Sequence, residues 1–410
     1  MRLAEIIESA VGRQAPLEFT AYDGSRTGDR NAPVRIDLRS PIALSYLASA
    51  PGELGLARAY VSGALDIHGD MYTALSSMAT STVTDQVSPR VFAQVALRLG
   101  AARLWWPVSR PAGEARVHGR RHSKRRDQEA IAHHYDVSNR FYEWVLGPSM
   151  AYTCAVYPTD DASLEEAQWT KHDLVARKLG LREGMRLLDV GCGWGGMVMH
   201  AARHYGVRAL GVTLSRKQAE WAQKKIAESG LSDLAEVRHL DYRDVAESGF
   251  DAVSSIGLTE HIGAAALPSY VRSLHDKLRP GGRLLNHCIT RPDNTGPTRI
   301  KGFFNRYVFP DGELLGPGFI LSAIHDNGFE VRHEENFREH YAKTLAGWCA
   351  NLDEHWDDAV EEVGEERARV WRLYMAGSRL GFEINNIQLH QVLAVRLDGT
   401  ESHMPLRPDW

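Results

Sequence analysis

Residues 185–206, MRLLDVGCGWGGMVMHAARHYG, decide the fold. MRLLDV is a short apolar run broken only by Arg186 and Asp189, the right length for one buried strand. GCGWGG follows, with Gly191, Gly193, Gly195 and Gly196, and then MVMHAARHYG returns to helical spacing. A glycine turn leading from a strand into a helix lets a ligand approach both the backbone and the helix N-terminus.

Outward from this point the pattern stays regular. VRALGVT (207–213) reads as a second strand and SRKQAEWAQKKIAESG (215–230) as a second helix. AEVRHLD (235–241), FDAVSSIG (250–257) and GGRLLNHCIT (281–290) read as three more strands, with the helix PSYVRSLHDKLRP (268–280) between the last two. IQLHQVLAVRL (387–397) reads as a final strand. Strands alternating with helices at this spacing predict an α/β fold: a doubly wound, Rossmann-like parallel sheet. Its ligand would sit at the carboxyl ends of the strands.

The glycines satisfy GxGxxG, but a dinucleotide fold needs an acid at the end of the second strand to hold the ribose. Thr213 stands there instead. The acids are Asp189, two positions before Gly191, and Asp241, at the end of the third strand. The pattern D-x-G-x-G-x-G favours S-adenosylmethionine, which has no pyrophosphate to cradle, over a nicotinamide cofactor.

The rest of the chain is less regular. At about 150 residues per domain, 410 residues predict two to three domains. VRIDLRSP (34–41) alternates like a strand, and the segment from Pro51 reads as a helix ending near Gly63. We expect residues 1–106 to form a small α+β accessory domain. Residues 107–128 form a linker that packs Arg116, Arg120, Arg121, Lys124, Arg125 and Arg126 into eleven positions. That cluster is either a solvated linker or a docking patch for anionic head groups, where each basic residue contributes about 1 kcal/mol. Residues 129–410 would be the ligand-binding domain, with 291–386, aromatic and polar, as a helical cover over its site.

A net charge of −4 excludes the global basic field of a nucleic-acid binder. The four cysteines, Cys154, Cys192, Cys288 and Cys349, include no CxxC pair, so neither a disulfide framework nor a cysteine zinc site is expected. Glu260 and His261 are adjacent and do not make HExxH, and no metal is expected. No run of about 18 apolar residues exists, which rules out a spanning helix but not work at a membrane surface.

Several further segments occur in one order: HHYDVSNRFYEWVLGPSMAYTCAVY (133–157), LLDVGCGWGG (187–196), GVTLSRKQ (211–218), GLTEHIG (257–263), LLNHCIT (284–290), RYVFPDGELL (306–315), HYAKTLAGW (340–348) and IQLHQVL (387–393). Together they resemble the cyclopropane fatty acid synthase family, over roughly two thirds of the chain. The stretch around AYVSGALDIHGDMY resembles the N-terminal extension of its phospholipid-acting members.

The resemblance implies methyl transfer from S-adenosylmethionine to an unsaturated acyl chain of a phospholipid. It implies cofactor contacts at Tyr152, Thr153, Leu187, Asp189, Gly191, Gly193, Gly195, Thr213, Leu214, Gln218, Asp241 and Tyr242. It implies a bicarbonate ion held by Cys154, Glu260, His287, Ile289 and Tyr341, with Ile289 contributing backbone only. A small caged anion can be base and counter-charge together beside a carbocation from which water is excluded. Leu258 and Thr259 depart from the family pattern, because many synthases carry an aromatic residue where Thr259 stands. That leaves the product open between a cyclopropane and a 10-methylene or 10-methyl branch. The expected setting is cytoplasmic, peripheral to the inner face of the membrane, with no nucleic-acid partner and room for a homo-oligomer.

Overall fold

The computed structural model describes residues 2–11, 16–50, 52–80, 109–111, 113–114, 126, 138–296, 298–300, 302–310 and 312–410. Arg116–Lys124, Arg125 and the His133–His134 doublet lie outside the described residues.

The chain forms two compact units. One contains Met1–Ala115, Lys301–Val308 and Trp356–Leu380. The other contains Arg116–Ile300, Phe309–His355 and Gly381–Trp410. This division differs from the expected one. The first unit runs past 106, and two pieces of the presumed 291–386 cover belong to it.

Ion pairs explain why those pieces belong there. Arg369 donates to Asp66 Oδ1 at 2.9 Å and lies over the Tyr60 ring, 5.0 Å from its centroid. Arg58 makes two hydrogen bonds to the Glu114 carboxylate, at 2.6 and 3.2 Å, and the Tyr307 hydroxyl donates to the same group at 3.3 Å. Both pairs are largely buried. Breaking a buried pair leaves an uncompensated charge and costs about 3–5 kcal/mol.

The first unit carries a four-stranded sheet of β1 (Glu18–Ala21), β2 (Arg26–Gly28), β3 (Arg35–Leu38) and β4 (Leu65–His68), in the order β2-β1-β3-β4. β1 and β3 are parallel and the other pairs antiparallel. The predicted strand at 34–41 is β3. The predicted helix from Pro51 is Glu53–Val61.

The second unit is built on β5 (Arg186–Val190), β6 (Arg208–Thr213), β7 (Ala235–His239), β8 (Phe250–Ile256) and β9 (Leu278–Thr290). Beyond the short hairpin β10 (Thr298–Arg299) and β11 (Glu313–Leu314) come β12 (Glu330–Asn336) and β13 (Gln388–Val395). The sheet order is β12-β13-β9-β8-β5-β6-β7. β7, β6, β5, β8 and β9 run parallel, and β13 is antiparallel to both β9 and β12. The strand order reverses between β5 and β8, and the crevice at their carboxyl ends is where such sheets bind ligands.

Helices cover both faces. Val175, Met197, Ala201, Ala222 and Ile226 pack with Leu187 and Leu285 on one side. Tyr270, Val271, Leu274, Ile320 and Ile324 pack with Leu188, Val253 and Leu284 on the other. The helix Leu164–Leu179 shows why these elements start and stop where they do. Ser163 caps its first turn by accepting from the Glu166 N–H, and Gly180 ends it in the left-handed region at φ 66°.

The alternating reading of the sheet holds strand by strand through β9. β12, EVRHEEN, carries charges at most positions and gives no apolar run in the sequence. As an edge strand it needs none. Among the described residues, no helix is long and apolar enough to cross a membrane.

Candidate active site

The loop after β5 and the loop after β8 face each other across the reversal point. Gly191, Gly193 and Gly195 all have positive φ, at 75°, 54° and 78°. A Cβ on Gly191 would meet the Leu258 side chain at 3.2 Å, and one on Gly193 would project into open space. Gly195 instead caps the helix Gly196–Tyr205, and a Cβ there would press on Val237 and Ala222.

A pocket opens beside this loop. Tyr152, Thr153, Asp189, Gly191, Gly193, Thr213, Leu214, Gln218 and Tyr242, nine of the expected cofactor residues, line it. Leu187, Gly195 and Asp241 do not line it. Leu187 is buried in the core. The Asp241 carboxylate is held by Arg243, at 2.8 Å from Nε and 2.6 Å from Nη2. Arg243 itself reaches the pocket wall.

The polar groups of the wall are tightly engaged. The Thr213 hydroxyl donates to Gln218 Oε1 at 2.8 Å, which leaves the Gln218 amide nitrogen free to donate to a ligand. Asp189 accepts from the Ser254 hydroxyl at 2.6 Å, and burial pushes its carboxyl up to about 6. Lys171 and His172 also line the pocket and carry no motif in the sequence. Lys171 Nζ donates to the Thr153 hydroxyl and to His172 Nε2, both at 2.9 Å. Burial lowers the Lys171 ammonium to about 8, against the opposing pull of the Asp189 carboxylate. Burial and Lys171 together hold His172 well below the usual histidine range.

None of the five expected catalytic residues lines this pocket; Cys154, His287 and Tyr341 are buried, and Glu260 and Ile289 are partly buried. Glu260 stands on the short helix Thr259–Ile262, and its Oε1 accepts from the Ile289 N–H at 2.7 Å. Its Oε2 is buried without a hydrogen-bond partner. Burial pushes this carboxyl up to about 7, against the opposing pull of the Ile289 N–H. The Ile289 backbone is thus engaged by Glu260.

His287 on β9 is buried, with Nδ1 3.3 Å from Gln391 Nε2 and its other ring nitrogen, Nε2, without a partner. Burial, then the Lys171 and Lys178 charges, keeps it well below the usual range and therefore neutral. Cys154 is buried and donates to the Ala155 and Phe337 carbonyls. Burial pushes its thiol up, so it stays protonated. Tyr341 packs on Phe382, with ring centroids 4.5 Å apart, and against Trp348. Trp348 also packs on Tyr152, and its indole N–H is buried without a partner.

Orphaned polar atoms at this depth are costly unless a ligand satisfies them. Glu260 Oε2 and His287 Nε2 match what a small oxyacid anion requires, one group that shares a proton and one that donates. The residues present therefore fit bicarbonate. Those around Gly191 fit an uncharged ribose and purine, with an amide, a hydroxyl and an aromatic face.

Thr259 is buried and donates to Asn286 Oδ1 at 2.7 Å. Among the described residues, no group of three or more His, Cys, Asp or Glu is placed to hold a metal ion.

Comparison with known proteins identifies the family. Residues 122–392 match the family described as mycolic acid cyclopropane synthetase. The "Probable fatty acid methyltransferase Rv3720" of Mycobacterium tuberculosis is 58% identical, covering 100% of this chain and 98% of its own. A "Probable fatty acid methyltransferase" of Pseudomonas putida is 38% identical over 96% of this chain and 95% of its own. The crystal structure of the mycolic acid cyclopropane synthase CmaA1, complexed with SAH and CTAB, superposes with a TM-score of 0.62. It is 32% identical and covers 65% of this chain and 98% of its own. The chain belongs to the mycolic acid cyclopropane synthetase family and is an S-adenosylmethionine-dependent methyltransferase of the cyclopropane fatty acid synthase type.

Proposed function

We propose that this enzyme methylates the cis double bond of an unsaturated fatty acyl chain in a phospholipid and closes it to a cyclopropane. The observation that carries the reading is two buried polar atoms without partners, Glu260 Oε2 and His287 Nε2. Relatives named as fatty acid methyltransferases support a lipid substrate. The SAH in the CmaA1 structure supports the cofactor.

S-adenosylmethionine supplies an electrophilic methyl group. Tyr152, Thr153, Asp189, Thr213, Gln218 and Tyr242 would hold it, while Gly191 and Gly193 let it lie against the backbone. The methylated alkene is a carbocation that must lose a proton. A carboxylate in direct contact with the cation would trap it as an ester. Glu260 avoids this by acting behind a bound bicarbonate, which would supply the base. With its carboxyl near 7, Glu260 can share a proton with that anion, since two bare anions in contact repel. His287 and Tyr341 would supply donors, and their burial excludes water.

A second reading, a methylene branch (which becomes a methyl branch only with a separate reductant), is favoured by Thr259. Where an aromatic ring could hold the cation in place, this chain has a hydroxyl bound to Asn286. A hydride shift before proton loss then competes with ring closure. Fragmentation mass spectrometry of lipids from cells expressing the enzyme decides between the two. Both products are one CH2 heavier, and a ring and a branch fragment differently. Unchanged lipids, with bound donor, would overturn both.

The setting we propose is peripheral, at an anionic membrane surface on its cytoplasmic face, with Arg116–Arg126 as the docking segment. Neutralising four of its charges should weaken binding to anionic vesicles at low salt, with the difference shrinking as salt screens it. Unchanged low-salt binding makes the segment a linker only.

A further inference from the structure

Behind His287 lies a line of buried polar side chains that no motif announces. Lys178 is fully enclosed, and its Nζ donates to Gln391 Oε1 at 2.6 Å and to Glu335 Oε2 at 2.6 Å. Gln391, on β13, is also fully enclosed, and the register pairs it directly with His287 on β9. Its amide nitrogen lies 3.3 Å from His287 Nδ1.

The chemistry of these groups leaves one arrangement. A lysine ammonium has only donors, so the atom of Gln391 facing Lys178 is the carbonyl oxygen. The amide nitrogen therefore faces His287 and donates. The ring nitrogen receiving that bond must offer a lone pair. Because burial and nearby positive charge keep His287 neutral, its single ring proton resides on the other nitrogen.

We propose that Lys178 and Gln391 are positioning residues that fix His287 as the Nε2–H tautomer, so that its unpartnered nitrogen is a permanent hydrogen-bond donor. This rests on the assignment of His287 to the anion cage and adds how that histidine is set. Without the pair, a neutral imidazole could present a lone pair to an anion and repel it. With it, the donor is in place at any pH at which His287 is neutral. The charged and titratable groups facing His287 are Lys171, Lys178 and His172, with Glu335 beyond Lys178. The cations among them discourage a second proton.

Gln391→Glu inverts the arrangement in nearly the same volume. A carboxylate there accepts from Lys178 and also from His287, so the ring proton moves to Nδ1 and Nε2 loses its hydrogen. The variant's turnover should fall about tenfold or more at pH 8. It should recover toward pH 6, because the new carboxylate raises the histidine pKa and double protonation restores a donor at Nε2. Wild-type enzyme should show no such recovery. Long-range nitrogen–proton NMR of histidine-labelled protein, with His287→Gln to assign the signal, reads the tautomer directly. The expected result is a lone pair on Nδ1 in wild type and a proton there in Gln391→Glu. A wild-type Nδ1–H tautomer, or a Gln391→Glu pH profile parallel to wild type, overturns the proposal. If the variant does not fold, the wild-type spectrum decides alone. The NMR measurement needs no bicarbonate, so it separates this proposal from the cage. Activity indifferent to bicarbonate would sink the cage and leave the tautomer standing, whereas the wrong tautomer would leave bicarbonate dependence intact.

Discussion

The pocket at Gly191 and the enclosed groups around Glu260 solve different problems with different materials. The pocket is walled by backbone and by hydroxyl, amide and aromatic groups whose bonds are mostly satisfied within the protein. Glu260 Oε2 and His287 Nε2, by contrast, are buried without partners. A donor that enters and leaves at each turnover needs a surface complete without it. A cage that holds one small anion beside a cation gains from atoms that only the anion satisfies, because every unmet bond then favours its retention.

The contrast breaks most easily at Glu260. Glu260→Gln should leave donor binding unchanged and slow turnover by roughly 10²-fold or more, the scale for losing a positioned acid–base group. Depleting bicarbonate should lower wild-type activity, and restoring it should help the variant much less. Wild-type turnover in Glu260→Gln would remove the distinction between the two regions.

The pocket should fail differently. Lys171→Met removes the donor that orients the Thr153 hydroxyl and the positive charge near Asp189. Calorimetry should show the methyl donor binding about tenfold more weakly, the scale of one hydrogen bond to a charged group. Turnover at saturating donor should change less. A loss confined to turnover would move Lys171 into the cage.

Gly191→Ala should have an effect of similar or smaller size. Its φ of 75° costs a non-glycine residue about 1–2 kcal/mol, and the new methyl would meet Leu258. The expected outcome is a weaker donor Kd with an unchanged bicarbonate response.

A last effect is on stability and has the opposite sign. Burial raises the folded-state pKa of Glu260 to about 7, so the folded protein binds that proton more tightly than the unfolded chain does. Stability from this group is therefore lost as pH rises from the ordinary carboxyl range through about 7. Glu260→Gln abolishes that loss. Its melting temperature should match wild type near pH 4.5 and exceed it above pH 7. Equal melting curves at pH 8 would mean the carboxyl is not held in a desolvated site.

The same contrast governs what the sequence makes legible. The sheet through β9 could be read because apolar runs and glycine turns are local signals. Leu187, Gly195 and Asp241 follow the motif, yet they face the core, a helix cap and Arg243, because adjacency in sequence does not fix which way a residue points. β12 and the re-entry of Trp356–Leu380 into the first unit rest on long-range pairing and buried ion pairs, which leave no local periodicity. Lys171 and Lys178 did leave a trace. In LEEAQWTKHDLVARKL the buried stripe runs through Ala167, Lys171, Leu174, Val175 and Lys178, so both lysines stand where helical spacing calls for apolar residues. A cation on the core face of an amphipathic helix is costly unless paired, and is for that reason a pointer to a site.

The antiparallel insertion of β13 between β9 and β12 also has a consequence for the order in which the molecule is made. β5 and β6 can pair as soon as both have been synthesised, since little chain separates them. β13 must find β9 across roughly a hundred intervening residues, a slow closure for any folding chain. Gln391 travels on that last strand. A nascent chain can therefore complete the glycine loop and its neighbouring strands well before it can lock the histidine that β9 carries. On the proposed roles, the glycine loop is in place early in synthesis, and the side chain that would set His287 arrives only at the end.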